Sequence, residues 1–173
     1  MRTPYDDDCR KLLSQLKRHE GKVTDGNGLH VPYRCPAGRL TIGYGHNLEA
    51  APVPGVGGRL TEDQAERLLA ADVMAVREQL SARLPWAEAL DGPRRAALVN
   101  MAFNLGLDGL MGFRKTLTFL RHGDFRNAAR EMLTSAWAAQ VGGRARELAR
   151  QMNTGAWQQE NAGDAGQLEG VTP

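Results

Sequence analysis

Apolar residues recur at helical spacing through most of this chain and alternate in one short stretch, Leu40–Tyr44. From Asp6 to His19 the leucines Leu12, Leu13 and Leu16 share one helical face, and Gly21 follows where a helix C-cap is wanted. Thr61 with Gln64 forms a capping box opening a long helix over 62–84. Its predicted buried stripe is Leu68, Leu69, Val73, Val76 and Leu80. After Pro85 the pattern turns wholly helical. Asp91-Gly92-Pro93 opens a helix carrying Ala96, Ala97, Val99, Met101 and Phe103, in which Asn100 is the polar exception. Apolar on nearly every side, it reads as a central core helix. Short helices are predicted around 108–112, over 114–122, from an Asp124 N-cap through Leu133, around Trp137, and from Gly142-Gly143 to about Asn153.

The span between the first two helices behaves differently. Lys22 to Leu40 is turn-rich, and Asp25-Gly26-Asn27-Gly28 is a hairpin-tip signal. A small, irregular antiparallel sheet is predicted from there to Tyr44, with 47–59 as a Pro/Gly-rich loop. Gly43 and Gly45 remove side-chain bulk and let backbone or ligand approach closely. The class is therefore α+β and mainly helical. The chain divides into a domain over 1–157 and a Gly/Gln/Glu tail over 158–173 that reads as disordered. Within the domain, a sheet lobe spans about 20–60, a connecting helix 62–84, and a helical lobe about 85–157.

The 173 residues suffice for one domain with a real core. No run of 18 apolar residues occurs, so no membrane span or stable membrane insertion is expected. The polar, acidic N-terminus is not a signal peptide, which implies cytoplasmic synthesis. Two cysteines, Cys9 and Cys35, imply no disulfide framework. The formal charge is +2, but the tail holds Glu160, Asp164 and Glu169 and no Lys or Arg, so the remainder carries +5. That balance suits a polyanion such as murein, nucleic acid or lipid headgroups without choosing among them. The absence of a basic helix face or aromatic–basic interleaving argues against nucleic acid.

Candidate chemistry starts at His19-Glu20-Gly21. A carboxyl at a helix C-terminus feels the negative end of the macrodipole, which favours its protonated form, the bias a general acid needs. Glu20, taken with the run Pro32 to Leu48 (Pro-Tyr-Arg-Cys-Pro-Ala-Gly-Arg-Leu-Thr-Ile-Gly-Tyr-Gly-His-Asn-Leu), resembles the phage-type lysozymes, the endolysin family that cleaves murein. The family pattern is a catalytic Glu, then an Asp or Cys, then a Thr after five further residues; Cys35 and Thr41 keep that spacing. Fourteen residues separate Glu20 from Cys35, more than the family has, which reads as an insertion within 22–31. Arg94 to Gly106 is similar to the family's central helix. Gly112-Phe113, Trp137, Arg144-Ala145 and Gly155-Ala156-Trp157 recur in register.

The resemblance implies a two-lobed lysozyme-like fold with a cleft between lobes. It implies hydrolysis of the β-1,4 bond between N-acetylmuramic acid and N-acetylglucosamine in peptidoglycan. Glu20 would be the acid, Cys35 a thiolate base or nucleophile, and Thr41 a hydrogen-bonder to water. Asn104, Trp137, Gln140 and Arg144 would line the far side of the cleft, and His46 would pair structurally with Asp72. No metal or organic cofactor is implied. The expected setting is a monomer acting on the wall in the periplasm, reached through a holin-type export partner or after lysis.

Taken alone, the same residues have plainer readings. Glu20 could be a solvated helix-end carboxylate, Cys35 a small buried apolar residue, Thr41 a β-branched strand residue and Trp137 core. Asp25 is the remaining candidate second carboxylate, in a turn where Asp serves its own backbone. A calcium loop from Asp25 fails because its twelfth position is Pro36. His46 lacks the His-Glu-x-x-His spacing of a zinc site. The rivals are a lytic transglycosylase, a zinc amidase using His19, His30, Cys35 or His46, and a non-catalytic wall-binding module. A regulatory Cys9–Cys35 disulfide is a further alternative.

Overall fold

The computed structural model describes residues 6–35, 38–53 and 58–158. Helix α1 (Asp7–Glu20) begins where the Asp6 carboxylate accepts the Cys9 N–H at 2.7 Å. It ends at Gly21, whose φ of 65° suits glycine and whose N–H returns to the Lys17 carbonyl. Acids in its first turn and Lys17, Arg18 and His19 in its last both complement the helix dipole. Leu12 and Leu16 are buried, while Leu13 is half-buried at the edge of the face.

Three short strands, β1 (Tyr33–Arg34), β2 (Leu40–Ile42) and β3 (His46–Asn47), form an antiparallel sheet in that order. Tyr33 lies opposite Thr41, and Ile42 opposite His46. The predicted sheet stopped at Tyr44; the observed one extends to Asn47. The cause is the turn between β2 and β3, where Gly43 (φ 64°) and Gly45 (φ 91°) reverse the chain.

The insertion ahead of β1 forms a hairpin. Thr24 bridges His30, and the Asp25 carboxylate accepts the backbone N–H groups of Asn27 (2.9 Å) and Leu29 (3.1 Å). Those bonds hold the Asp25 carboxyl below its usual pKa. His30 also exchanges backbone bonds with Leu60 (2.8 and 3.0 Å), which ties the hairpin to the start of the next helix.

Helix α2 (Glu62–Arg83) carries the predicted capping box. Its buried positions are Ala65, Leu69, Ala70, Val73 and Leu80; Leu68 and Val76, predicted in the buried stripe, sit half-buried at its margin. A 3₁₀ turn (Pro85–Ala89), absent from the sequence reading, leads to α3 (Gly92–Leu105), capped by Asp91. Then come α4 (Leu107–Met111), α5 (Arg114–Arg121), α6 (Phe125–Leu133), α7 (Ala136–Val141) and α8 (Gly143–Thr154). Helix α3 packs against α1, α2, α4 and α8. Thus α1, first in the chain, docks on the helical lobe and delivers Glu20 to the sheet from that side.

Among the described residues, no helix is long and apolar enough to cross a membrane. Cys9 is buried and no disulfide joins it to Cys35. The predicted disordered tail, beyond Gln158, lies outside the described residues.

Sheet lobe and α2 meet at Glu62. Its carboxylate accepts from the Tyr44 hydroxyl and from His30 Nε2 at 3.0 Å, and it pairs with Lys17 (3.0 Å) and Lys22 (2.9 Å). Partial burial pushes the Glu62 carboxyl up, but these donors outweigh it and hold the group far below the usual range. Because the folded pKa is depressed, the stabilisation is present above the unfolded value of about 4.3 and lost as pH falls through the folded one. Glu62→Gln should therefore destabilise the fold by about 1 kcal/mol near neutral pH, a figure discounted for the exposure of the carboxylate. Melting curves should show a drop of about 2–4 °C at pH 7 that shrinks progressively below pH 4.

Candidate active site

Glu20 ends α1 with its side chain 19% exposed. Its Oε1 accepts from Arg144 Nη1 at 2.7 Å, and the Arg144 side chain is itself 7% exposed. Its other oxygen faces the β2–β3 turn: a Cβ built on Gly45 would lie 3.4 Å from Oε2 and 3.6 Å from the Phe103 ring. Glycine at 45 lets the turn approach the carboxyl while adopting a positive φ. The close approach inferred from Gly45 in the sequence is therefore to Glu20.

On the sheet side, Tyr33 and Cys35 are two apart along one extended segment and so share a face, while Arg34 points away. Arg34 donates instead to the Gly38 carbonyl at 2.7 Å and lies 3.6 Å from Glu49. Burial, with the charges of Glu20 and Cys35 within electrostatic reach, holds the Tyr33 phenol above its usual pKa. Glu20, Tyr33 and Cys35 thus occupy one neighbourhood. Thr41 is the cross-strand partner of Tyr33; it is buried, and its hydroxyl donates to the Arg39 carbonyl at 3.0 Å.

The other predicted residues fall into two groups. Trp137 is buried, stacks edge-on against Phe113 and donates its indole N–H to Asn104 Oδ1 at 2.8 Å. Asn104 and Gln140 are exposed. His46 Nδ1 donates to both oxygens of Asp72 (2.8 and 3.0 Å) and its Nε2 faces the Ala51 carbonyl at 2.7 Å. Burial raises the Asp72 carboxyl despite the imidazole beside it.

Three histidines hold three separate carboxylates: His19 with Glu147, His30 with Glu62, and His46 with Asp72. Among the described residues no three His, Cys, Asp or Glu side chains converge in a way that could hold a metal ion. A groove of about 790 Å³ between α1 and α2, floored by Leu13, Leu69 and Ala70, does not include Glu20.

Sequence reasoning missed Tyr33, Phe103, Gln15 and Glu147 as neighbours of the site; it named His19 beside Glu20, but not the bond of His19 to Glu147. Gln15 carried a signal, a polar residue on the leucine face of α1. So did Asn100, polar within an apolar helix.

Residues 11–157 match the family described as phage lysozyme. The chain belongs to the phage lysozyme family. It is 31% identical over 140 residues to an endolysin of Acyrthosiphon pisum secondary endosymbiont phage 1, covering 78% of this chain and 82% of the endolysin. It is 28% identical over 163 residues to the pre-baseplate central spike protein Gp5 of Enterobacteria phage T4, covering 82% of this chain and 28% of that much longer protein. A shorter match, 32% identical over 56 residues and covering 32% of this chain and 33% of the relative, is to a probable T4-type lysozyme of Dictyostelium discoideum. Lysozyme-type activity, and with it a glycoside hydrolase class of enzyme, follows for this family member.

Asp72→Asn keeps one oxygen for His46 and loses the second hydrogen bond, but it also removes a charge that burial disfavours. The two partly offset, so we expect a destabilisation of at most about 1 kcal/mol, read as a lower melting temperature, with turnover at the surviving folded fraction changed less than twofold. An unchanged melting curve would remove the pair from the scaffold.

Proposed function

We propose that this chain hydrolyses the β-1,4 bond between N-acetylmuramic acid and N-acetylglucosamine in peptidoglycan, as an endolysin that lyses bacteria. The observation that carries the reading is the placement of Glu20. Its carboxyl stands at the junction of the two lobes, between Arg144 on the helical side and the glycine turn on the sheet side. A sugar strand laid across that junction would bring its glycosidic oxygen to a carboxyl at a helix end.

In this mechanism Glu20 donates its proton to the leaving oxygen as the glycosidic bond breaks. A water attacks the anomeric carbon and gives its proton to the Cys35 thiolate, which only in that ionised form can act as the base. Tyr33, paired with Thr41 across β1 and β2, offers a hydroxyl that both donates and accepts, while the Thr41 hydroxyl, its proton given to the Arg39 carbonyl, can accept. Asn104 and Gln140, exposed on the helical lobe, would hydrogen-bond the sugars, while Trp137 holds Asn104 in place. The protein would act as a monomer on the wall, with a holin-type partner giving access to the periplasm; no cofactor is needed.

Mass spectrometry of muropeptides released from purified murein tests the chemistry. Products with a free reducing end, one water heavier than the anhydro form, are expected; anhydro ends would make the enzyme a transglycosylase. Glu20→Gln should lower the rate by about 10²–10⁴-fold or more, measured as clearing of permeabilised Gram-negative cells. Cys35→Ala should fall similarly while Cys35→Asp retains part of the activity. Equal rates for the two Cys35 variants would remove the thiol from the mechanism.

A further inference from the structure

Behind the Glu20–Arg144 pair runs a one-way chain of side-chain hydrogen bonds. Arg144 has donors and no acceptor, so it fixes the polarity of what it meets. Arg144 Nε donates to Asn100 Oδ1 at 3.0 Å and Nη2 to the Asn100 carbonyl at 3.3 Å. With its oxygen committed, Asn100 donates from Nδ2 to Gln15 Oε1 at 3.0 Å. Gln15 Nε2 then donates to Gln151 Oε1 (2.9 Å) and to Glu147 Oε1 (2.8 Å). Gln151 passes the sequence on to the Pro93 carbonyl at 2.7 Å, an acceptor that ends it. Asn100, Gln15 and Gln151 are at most 2% exposed, so solvent cannot substitute for a missing partner.

His19 closes a side branch of this chain. Its side chain is 8% exposed, with Nε2 at 2.8 Å from Glu147 Oε2. Its Nδ1 lies 3.2 Å from Asn100 Nδ2 and 3.4 Å from Asn100 Oδ1. The neutral ring with its proton on Nε2 satisfies both ends: Nε2–H donates to Glu147, and Nδ1 accepts the second Nδ2 proton of Asn100. A protonated ring places an N–H against the Asn100 NH₂. It keeps a partner by turning to Oδ1, which has a second lone pair but then carries two cationic donors, the imidazolium and Arg144 Nε, whose mutual repulsion weakens the Arg144 bond. The charged groups facing this ring are Glu147 from α8, with Arg18 of α1 on the other Glu147 oxygen, and Arg144 across Asn100; α3 presents the uncharged Asn100. The hydrogen bonds from His19 and Gln15 overcome the effect of burial and keep the Glu147 carboxyl below its usual pKa, hence ionised.

We propose that His19 is a positioning residue that couples pH to the active site, its protonation competing with Arg144 for Asn100 and so loosening the hold of Arg144 on Glu20. The effect on rate rests on the function proposed above, whereas the coupling from His19 to Arg144 does not. Turnover falls when His19 is protonated, with binding unchanged, because the disturbed element orients the acid and does not contact sugar. His19→Gln supplies an amide N–H in place of the ring Nε2–H and an uncharged oxygen, and cannot titrate.

The test has two readouts on wild type, His19→Gln and Glu147→Gln, each first confirmed as folded by its melting curve. In ¹⁵N-resolved NMR from pH 4.5 to 8, the Arg144 Nε–H signal of the wild type should shift with the same midpoint as the His19 ring; in His19→Gln it should stay still. Glu147→Gln removes the carboxylate that favours the imidazolium, so this midpoint should move to lower pH. In murein hydrolysis, kcat of the wild type should show, besides the limb set by ionisation of Cys35, a fall of about fivefold at that midpoint at constant KM, and His19→Gln should remove that component alone. An Arg144 signal indifferent to His19 ionisation, or a His19→Gln acid limb superimposable on that of the wild type, overturns the proposal. If no variant, wild type included, releases muropeptides, the proposed function fails, and the NMR titration alone decides the coupling. If His19→Gln does not fold, the co-titration of Arg144 and its displacement in Glu147→Gln decide it.

Discussion

A guanidinium buried almost to exclusion can persist only if each face of it meets an acceptor. Arg144 is that group, and the structure around it follows from the requirement. Its acceptors come from two helices far apart in sequence, the Glu20 carboxylate on α1 and the side-chain and backbone oxygens of Asn100 on α3, while Arg144 itself stands on a third, α8. Satisfying it fixes the distance and rotation of these helices. It also explains the polar residues inside an otherwise apolar interface, because Asn100 needs Gln15 and Gln15 needs Gln151. A network of this kind specifies one arrangement, since a helix slipped by a turn would leave several buried groups unpaired.

The sheet lobe is held by a second ionic centre of a different character. Glu62 lies at the surface and collects Tyr44, His30, Lys17 and Lys22 around the first turn of α2. It fastens the inserted hairpin and the glycine turn to the connecting helix. The turn in turn sets how closely Gly45 approaches Glu20. The site is therefore positioned from two sides: by a buried network in the helical lobe and by a solvated cluster beneath the sheet.

Much of this fold is legible in the sequence where one residue type has one physical use. Asp6, Thr61, Asp91, Asp124 and the glycines at 21 and 142 mark helix ends because their caps are local. The lysozyme resemblance supplied Arg144, but only as a cleft residue; its bond to Glu20 spans 124 positions and no local pattern reports it. His19 and Glu147 are likewise ordinary helix-surface residues until α1 and α8 are brought together. Strand β3 escaped notice for a related reason, since two residues are too few to show alternation and pair only because the turn before them reverses the chain.

The order in which the chain is made gives the network a temporal meaning. Helix α1 is synthesised early and can pair with α2 through Lys17, yet α3 and α8, which meet it at the buried network, lie downstream. Non-local closure of this sort is slow to form and late to be rewarded. Glu20 gains its counter-charge only when the helix beginning at Gly143 is in place. A partly synthesised or partly degraded chain that lacks that helix carries the proposed acid without the guanidinium that meets it. Assembly of the candidate site is thereby a readout of completed folding.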